Sequence, residues 1–162
     1  MAREEKQHKL EVHVAGIVFR ETENDIEVLI VKRNAGRKLY PGKWECGGGQ
    51  VKEGENFEEA IARQMKEELG VNVKKALTFG TYEIKTPDLP QQKIPGIKFV
   101  CFLDKGRPYF KGNGPEISEK EHEGWRWQSI NDLEKIEFVS GIREEIRIAW
   151  EFYSNNKRAL GS

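Results

Sequence analysis

The segment from Asn56 to Gly70 constrains this chain more than any other, because it carries carboxylates where a packed helix would bury carbon. Asn56 is a suitable N-cap, Glu59 stands in capping-box position and Gly70 supplies a stop. With about 100° of turn per residue, Phe57, Ala60, Ile61, Met65 and Leu69 share one broad apolar face that would pack on a sheet. Gln64 and Glu68 fall near the middle of that arc, Glu67 lies at its edge and Arg63 just beyond it. A carboxylate turned toward a core is costly unless it is paired or binds a cation. A solvated face with i,i+4 ion pairs is the competing explanation of Lys66, Glu67 and Glu68, and the helix alone does not separate the two.

The preceding residues bear on that choice. Gly47, Gly48 and Gly49, followed by Gly54 and Glu55, read as a loop whose backbone can approach a ligand closely and offer free carbonyls and amides. A glycine turn feeding an acidic helix suits hard cations, which prefer oxygen ligands. Taken by itself, the glycine run reads first as a tight turn.

Around this centre the chain reads as one α/β domain spanning residues 1–162. Leu10, Val12, Val14, Gly16 and Val18 alternate as a strand does, the polar residues 21–25 mark a turn, and residues 26–31 form a strand covered on both faces. A short strand is expected at residues 44–46, with others at 77–85, 97–103 and 125–128. The stretch 86–96 with Pro87, Pro90 and Pro95 reads as a loop, as does the polar stretch 104–123. Ile142, Ile146, Ala149, Trp150 and Tyr153 mark an amphipathic C-terminal helix.

Lys plus Arg and Asp plus Glu both number 27, so no positive excess drives binding to nucleic acid or an anionic membrane. Cys46 and Cys101 lack paired spacing and read as buried free thiols. No apolar run reaches the roughly 18 residues of a membrane span, and the start MAREEKQHKL lacks a signal-peptide core. A soluble, cytoplasmic protein with a small-molecule partner is expected.

Gly49, Glu55, Arg63, Met65, Glu67, Glu68, Gly70 and Val71 stand at the spacing G-x5-E-x7-R-E-U-x-E-E-x-G-U, and together they resemble the Nudix box, here at residues 49–71. Trp44 and Glu45 ahead of it resemble the family's lead-in, and residues 124–127 with Ile130 and Leu133 its closing strand and short helix. The departures are Gln64, where the family has glutamate, and Gly47, where it often has proline. The resemblance implies a Nudix-type α/β/α sandwich around a mixed central sheet. It also implies Mg²⁺-dependent, or Mn²⁺-dependent, hydrolysis of a nucleoside diphosphate linked to another group, whether a nucleoside triphosphate, an ADP-ribose-like compound or a dinucleoside polyphosphate.

On that resemblance, Glu67, Glu68, the carbonyl at Gly49 and a loop acid, Glu121, would hold the metal, with Glu119 and Glu123 as rivals of Glu121. Arg63 would orient a glutamate, Glu55 would support Arg63, and Glu121 would act as base in place of the residue that Gln64 cannot supply. Arg33, Lys43 and Tyr40 are candidates for the substrate, and Tyr40, Tyr82, Phe102 or Trp127 could stack on a base. The alternative is a weakened nucleotide-binding or regulatory module of the same fold. A homodimer is left open.

Overall fold

The computed structural model describes residues 10–86, 89–104 and 122–158. β-Branched and aromatic residues build β1 (His13–Glu21) and β2 (Ile26–Arg33), joined by a turn in which the Thr22 N–H donates to the Asp25 carbonyl at 2.8 Å. Then come β3 (Trp44–Glu45), β4 (Gly47–Gln50), α1 (Phe57–Leu69), β5 (Val73–Thr86), β6 (Leu89–Leu103), β7 (His122–Ser129), a 3₁₀ turn (Ile130–Lys135) and α2 (Ile142–Asn156). The sheet order is β3-β2-β1-β6-β5, with β4 also on β1 and β7 also on β2. β1 and β6 run parallel from His13–Gly96 to Val18–Cys101, and the other strand pairs are antiparallel.

Side-chain alternation makes the layers. Val14 and Val18 of β1, Leu29 and Val31 of β2, and Phe99 and Cys101 of β6 turn to one face and meet Ala60, Ile61, Met65 and Leu69 of α1. Ile17, Phe19, Val28, Ile30 and Val100 turn to the other face and meet Ile146, Ala149 and Tyr153 of α2. The mixed sheet between two helices is the expected α/β/α sandwich. Among the described residues no helix is long and apolar enough to cross a membrane.

α1 is bounded as its sequence requires. Asn56 Oδ1 accepts from the Glu59 N–H at 2.8 Å, and Gly70 closes the helix at φ 66°, in the left-handed region that favours glycine. Phe57, assigned to the packing face, is 43% exposed. It occupies the first position of the helix, where the side chain leans toward the N-terminus and away from the sheet.

Two stretches expected to be loops are strands. Gly47, Gly48 and Gly49 pair with Gly16, Ala15 and Val14 of β1, so the glycine run is β4. Ile94, Pro95 and Gly96 pair with Ile84, Glu83 and Tyr82, which extends β5 and β6 through much of the proline-rich stretch. Pro95 is tolerated because β6 joins β1 only from Gly96 onward, so its missing N–H falls where β6 has one neighbour. Pro87 lies outside the described residues.

β4 is built from glycine because of what lies above and beside it. A Cβ on Gly48 would stand 2.6 Å from the Val14 carbonyl oxygen, and one on Gly47 would stand 2.6 Å from the Met65 methyl. The bare strand lets α1 lie close to the sheet. Gly48→Ala should therefore destabilise the fold by roughly 1–3 kcal/mol in equilibrium urea unfolding. Gly36→Ala, where the nearest atom to a new Cβ is Asn34 Oδ1 at 3.5 Å, should change it by less than about 0.5 kcal/mol.

Candidate active site

The acidic edge of α1 is organised by one arginine. Arg63 Nε and Nη2 donate to both carboxylate oxygens of Glu55 at 2.7 and 2.9 Å, Nη2 also donates to the Gln50 carbonyl at 2.9 Å, and Nη1 to Glu67 at 3.1 Å. Glu55 accepts as well from the Lys52 N–H at 2.7 Å. Arg63 thus joins the turn before the helix, the end of β4 and the helix itself. The guanidinium beside Glu55, with the Lys52 N–H, holds its carboxyl down at about 2 instead of 4.5, and Glu55 in turn raises the pKa of Arg63.

Glu68 points inward, its Oε2 accepting from the Gly48 N–H at 3.1 Å. Gln64 lies directly over Gly49, where any Cβ would strike its amide, and Nε2 donates to the Gln50 carbonyl at 3.3 Å. A glutamate at 64 would set an anion against that carbonyl; the amide converts a repulsive contact into a hydrogen bond.

These groups border an open cleft of about 860 Å³ between the C-terminal half of α1, β4 and the first turn of α2. On one flank stand Arg33, Arg37, Glu45 and His122. Arg33 Nη1 donates to Glu45 at 3.0 and 3.1 Å, and His122 Nε2 is 3.0 Å from Glu45 Oε1. His122 is 3% exposed, and its Nδ1 has no partner among the described residues. The sheet brings the three together: Val31 of β2 pairs with Glu45, and Arg33 pairs with His122.

Of the residues singled out in the sequence, Gln64, Glu67, Glu68, Gly49 and Arg33 line this cleft, and Arg63 and Glu55 support it. Tyr40 is exposed in a turn at φ 49°, and Lys43 pairs with Glu137 at 3.2 Å; neither lines the cleft. Glu123 lies 3.7 Å from Lys32, whereas Glu119 and Glu121 lie outside the described residues. Among the aromatic candidates Tyr82 alone lines the cleft; Phe102 stacks on Tyr153 and Trp127 lies beneath Arg20. The lining also includes groups that sequence reasoning passed over. Glu45, which the sequence places in a lead-in, and His122 are among them, and nothing short of the strand register pairs them. Cys101 is buried as expected, whereas Cys46 is only partly so, because it lines the cleft together with His13; desolvation, then Glu145 and Glu45, push the Cys46 thiol up and keep it protonated.

Among the described residues no three His, Cys, Asp or Glu side chains converge into a metal shell. What converges is Glu67 and Glu68, the amide of Gln64 and the backbone of β4, an oxygen-rich and incomplete set. Such a set fits a small hard cation that keeps several waters and takes the rest of its shell from phosphates.

The NUDIX domain family model matches residues 9–147. Over 48 residues, 30% of the chain, the sequence is 44% identical to nucleoside triphosphatase NudI of Escherichia coli O139:H28 (strain E24377A / ETEC), and this match spans 34% of that protein. The fold is similar to that of the NUDIX domain of Shewanella oneidensis NrtR, solved with ADP ribose, at TM-score 0.67 and 16% identity over 93% of this chain and 92% of that one. It is also similar to a C. elegans Ap4A hydrolase, at TM-score 0.65 and 18% identity over 90% and 99% of the two chains.

The depressed pKa of Glu55 predicts an acid dependence. Because the folded value lies below the unfolded one, the pairing stabilises the fold above about pH 4.5, and that contribution is lost as pH falls toward about 2. The gap in Tm between the parent and Glu55→Gln should therefore be widest near neutrality and close across that window.

Proposed function

We propose, because this chain belongs to the NUDIX domain family, that it hydrolyses the pyrophosphate bond of a nucleoside diphosphate linked to another group. The observation that carries this reading is the acidic edge of α1 held against the glycine run of β4, with Glu68 on the Gly48 N–H and Glu67 on Arg63. The names of the similar proteins support a nucleotide substrate: a nucleoside triphosphatase, an Ap4A hydrolase and a domain solved with ADP ribose. The even balance of 27 basic and 27 acidic residues fits a small molecule better than nucleic acid or a membrane surface.

Glu67, Glu68, the Gly49 carbonyl and Glu121 are the groups that would hold Mg²⁺ or Mn²⁺. The bound cation supplies neutralisation of the phosphates and a lower pKa for the attacking water. Arg33, held at the cleft by Glu45, steadies a phosphate; Arg37 lies on the same flank. Arg63 keeps Glu67 turned to the site, and Glu55 keeps Arg63 in place. Glu121 accepts the proton that the water sheds as its oxygen bonds to phosphorus and the bridging P–O bond breaks. A second reading, a nucleotide-binding module with weakened catalysis, is favoured by the Gln64 amide tied to the Gln50 carbonyl, since an amide is neither an anion nor a base.

Glu68→Gln should abolish divalent-dependent phosphate release from a nucleotide panel while leaving Tm near that of the parent; undiminished turnover would remove Glu68 from the site. In calorimetric titration the parent should favour Mg²⁺ or Mn²⁺, and a tight activating Zn²⁺ site would contradict the oxygen-donor set.

Gln64 and Glu121 separate the two readings. With Glu121 as base, Glu121→Gln should lower kcat by roughly 10²–10⁴ and Gln64→Glu should change it little. A gain of that size from Gln64→Glu, with no loss from Glu121→Gln, would instead mark a weakened enzyme.

A further inference from the structure

The flank of the cleft opposite Arg33 is walled by Tyr82 and Ile84 of β5 and by Ile142 and Glu145 of α2. It takes no part in the chemistry assigned above. We infer that this flank is a nucleobase subsite in which Tyr82 is the stacking platform and Glu145 selects a base presenting two adjacent N–H donors, as guanine does. The inference rests on the proposed nucleotide hydrolysis for its orientation, with phosphates toward Glu67 and Glu68.

Tyr82 is set by its cross-strand partner. It faces Gly96 on β6, and a Cβ on Gly96 would collide with Cζ, Cε1 and Cε2 of the ring. The ring therefore lies flat over the bare backbone of Gly96, ordered before any ligand arrives, and little rotamer entropy remains to be lost on binding. Ile84 follows on the same face of the strand, and Ile142 approaches from α2, so the platform has apolar walls. A base stacked on a fixed aromatic ring between aliphatic side chains is held whatever its identity.

Identity is left to Glu145. Lys98 donates to its Oε1 at 3.3 Å and anchors the side chain. Glu145 lines the same cleft as Tyr82, which sets the carboxylate on the platform's side of the site, and burial first and Glu145 second push the Tyr82 phenol up to about 12. A carboxylate only accepts hydrogen bonds. Guanine offers N1–H and N2–H side by side and can engage it in paired fashion. Adenine and cytosine set a lone pair beside their amino group, and uracil flanks one N–H with two carbonyls, so each brings repulsion along with any bond.

The test has a catalytic arm and a binding arm. In the first, kcat/KM for GTP, ATP, CTP and UTP with Mg²⁺ should favour GTP by about tenfold or more, and Glu145→Gln should level that preference. Tyr82→Leu, which keeps apolar bulk without a ring, should raise KM for GTP by roughly 10- to 100-fold with kcat retained. In the second, guanosine without phosphates should bind the parent in calorimetry, and Tyr82→Leu and Glu145→Gln should each weaken it. Equal kcat/KM across the four bases, guanine preference surviving Glu145→Gln, or guanosine binding indifferent to Tyr82 would overturn the subsite. Guanosine binding that depends on both residues in a protein that hydrolyses no nucleoside triphosphate, nucleoside diphosphate sugar or dinucleoside polyphosphate would uphold the subsite and reject the hydrolase reading.

Discussion

The guanidinium of Arg63 is the interaction on which the site depends. Glu67 and Glu68 project from adjacent positions of one helix, near the acidic Glu55, and without a cation among them they would repel one another. Arg63 holds Glu55 through a paired contact, caps the exposed Gln50 carbonyl and reaches Glu67, so turn, strand and helix meet on one planar group. A lysine at that position would supply the charge but not the fork that makes these bonds at fixed angles. Glu55 is steadied in turn by the Lys52 N–H, which ties the network to the backbone of the turn.

Arg63 can act this way only because β4 has no side chains in the way. Gly47 and Gly49 leave room for Met65 and Gln64, and Gly48 leaves its N–H to Glu68. The glycines are needed here for close approach, since none of the three has positive φ. Gln64 fits the same economy: over Gly49, beside a carbonyl, its amide makes the contact favourable without a cation.

What was legible in the sequence was local. The caps of α1, its buried face at Ala60, Ile61, Met65 and Leu69, and the inward turn of Glu68 follow from a period of 3.6 and from residues within a few positions of each other. The two-layer core follows in the same way from alternation along β1 and β2. What escaped depends on register between distant segments. Glu45 and His122 look unrelated until β2 aligns both beside Arg33. Tyr82 could not be chosen over Tyr40, Phe102 and Trp127, because lining a cleft is not a property of neighbouring residues. The glycine run hid its strand character for a related reason: glycine disfavours strands in isolation, and β4 exists because β1 supplies its hydrogen bonds.

The parallel pairing of β1 with β6 has a consequence for how the chain reaches this state. β1 lies between β2 and β6, and it carries Ile17, Val18 and Phe19 into both layers of the core. Its antiparallel partner β2 follows within a short turn, but between β2 and β6 the chain makes β3, β4, α1 and β5. On a ribosome, β1 and β2 emerge early as a hairpin with apolar surface on both faces and an open edge at β1. That edge must stay unpaired until β6 has been made, because closing so long a loop comes late and the antiparallel hairpin cannot substitute for it. The nascent chain is thus most prone to pairing with another copy during the interval between synthesis of β1 and synthesis of β6, an exposure imposed by strand order and independent of how stable the finished fold becomes.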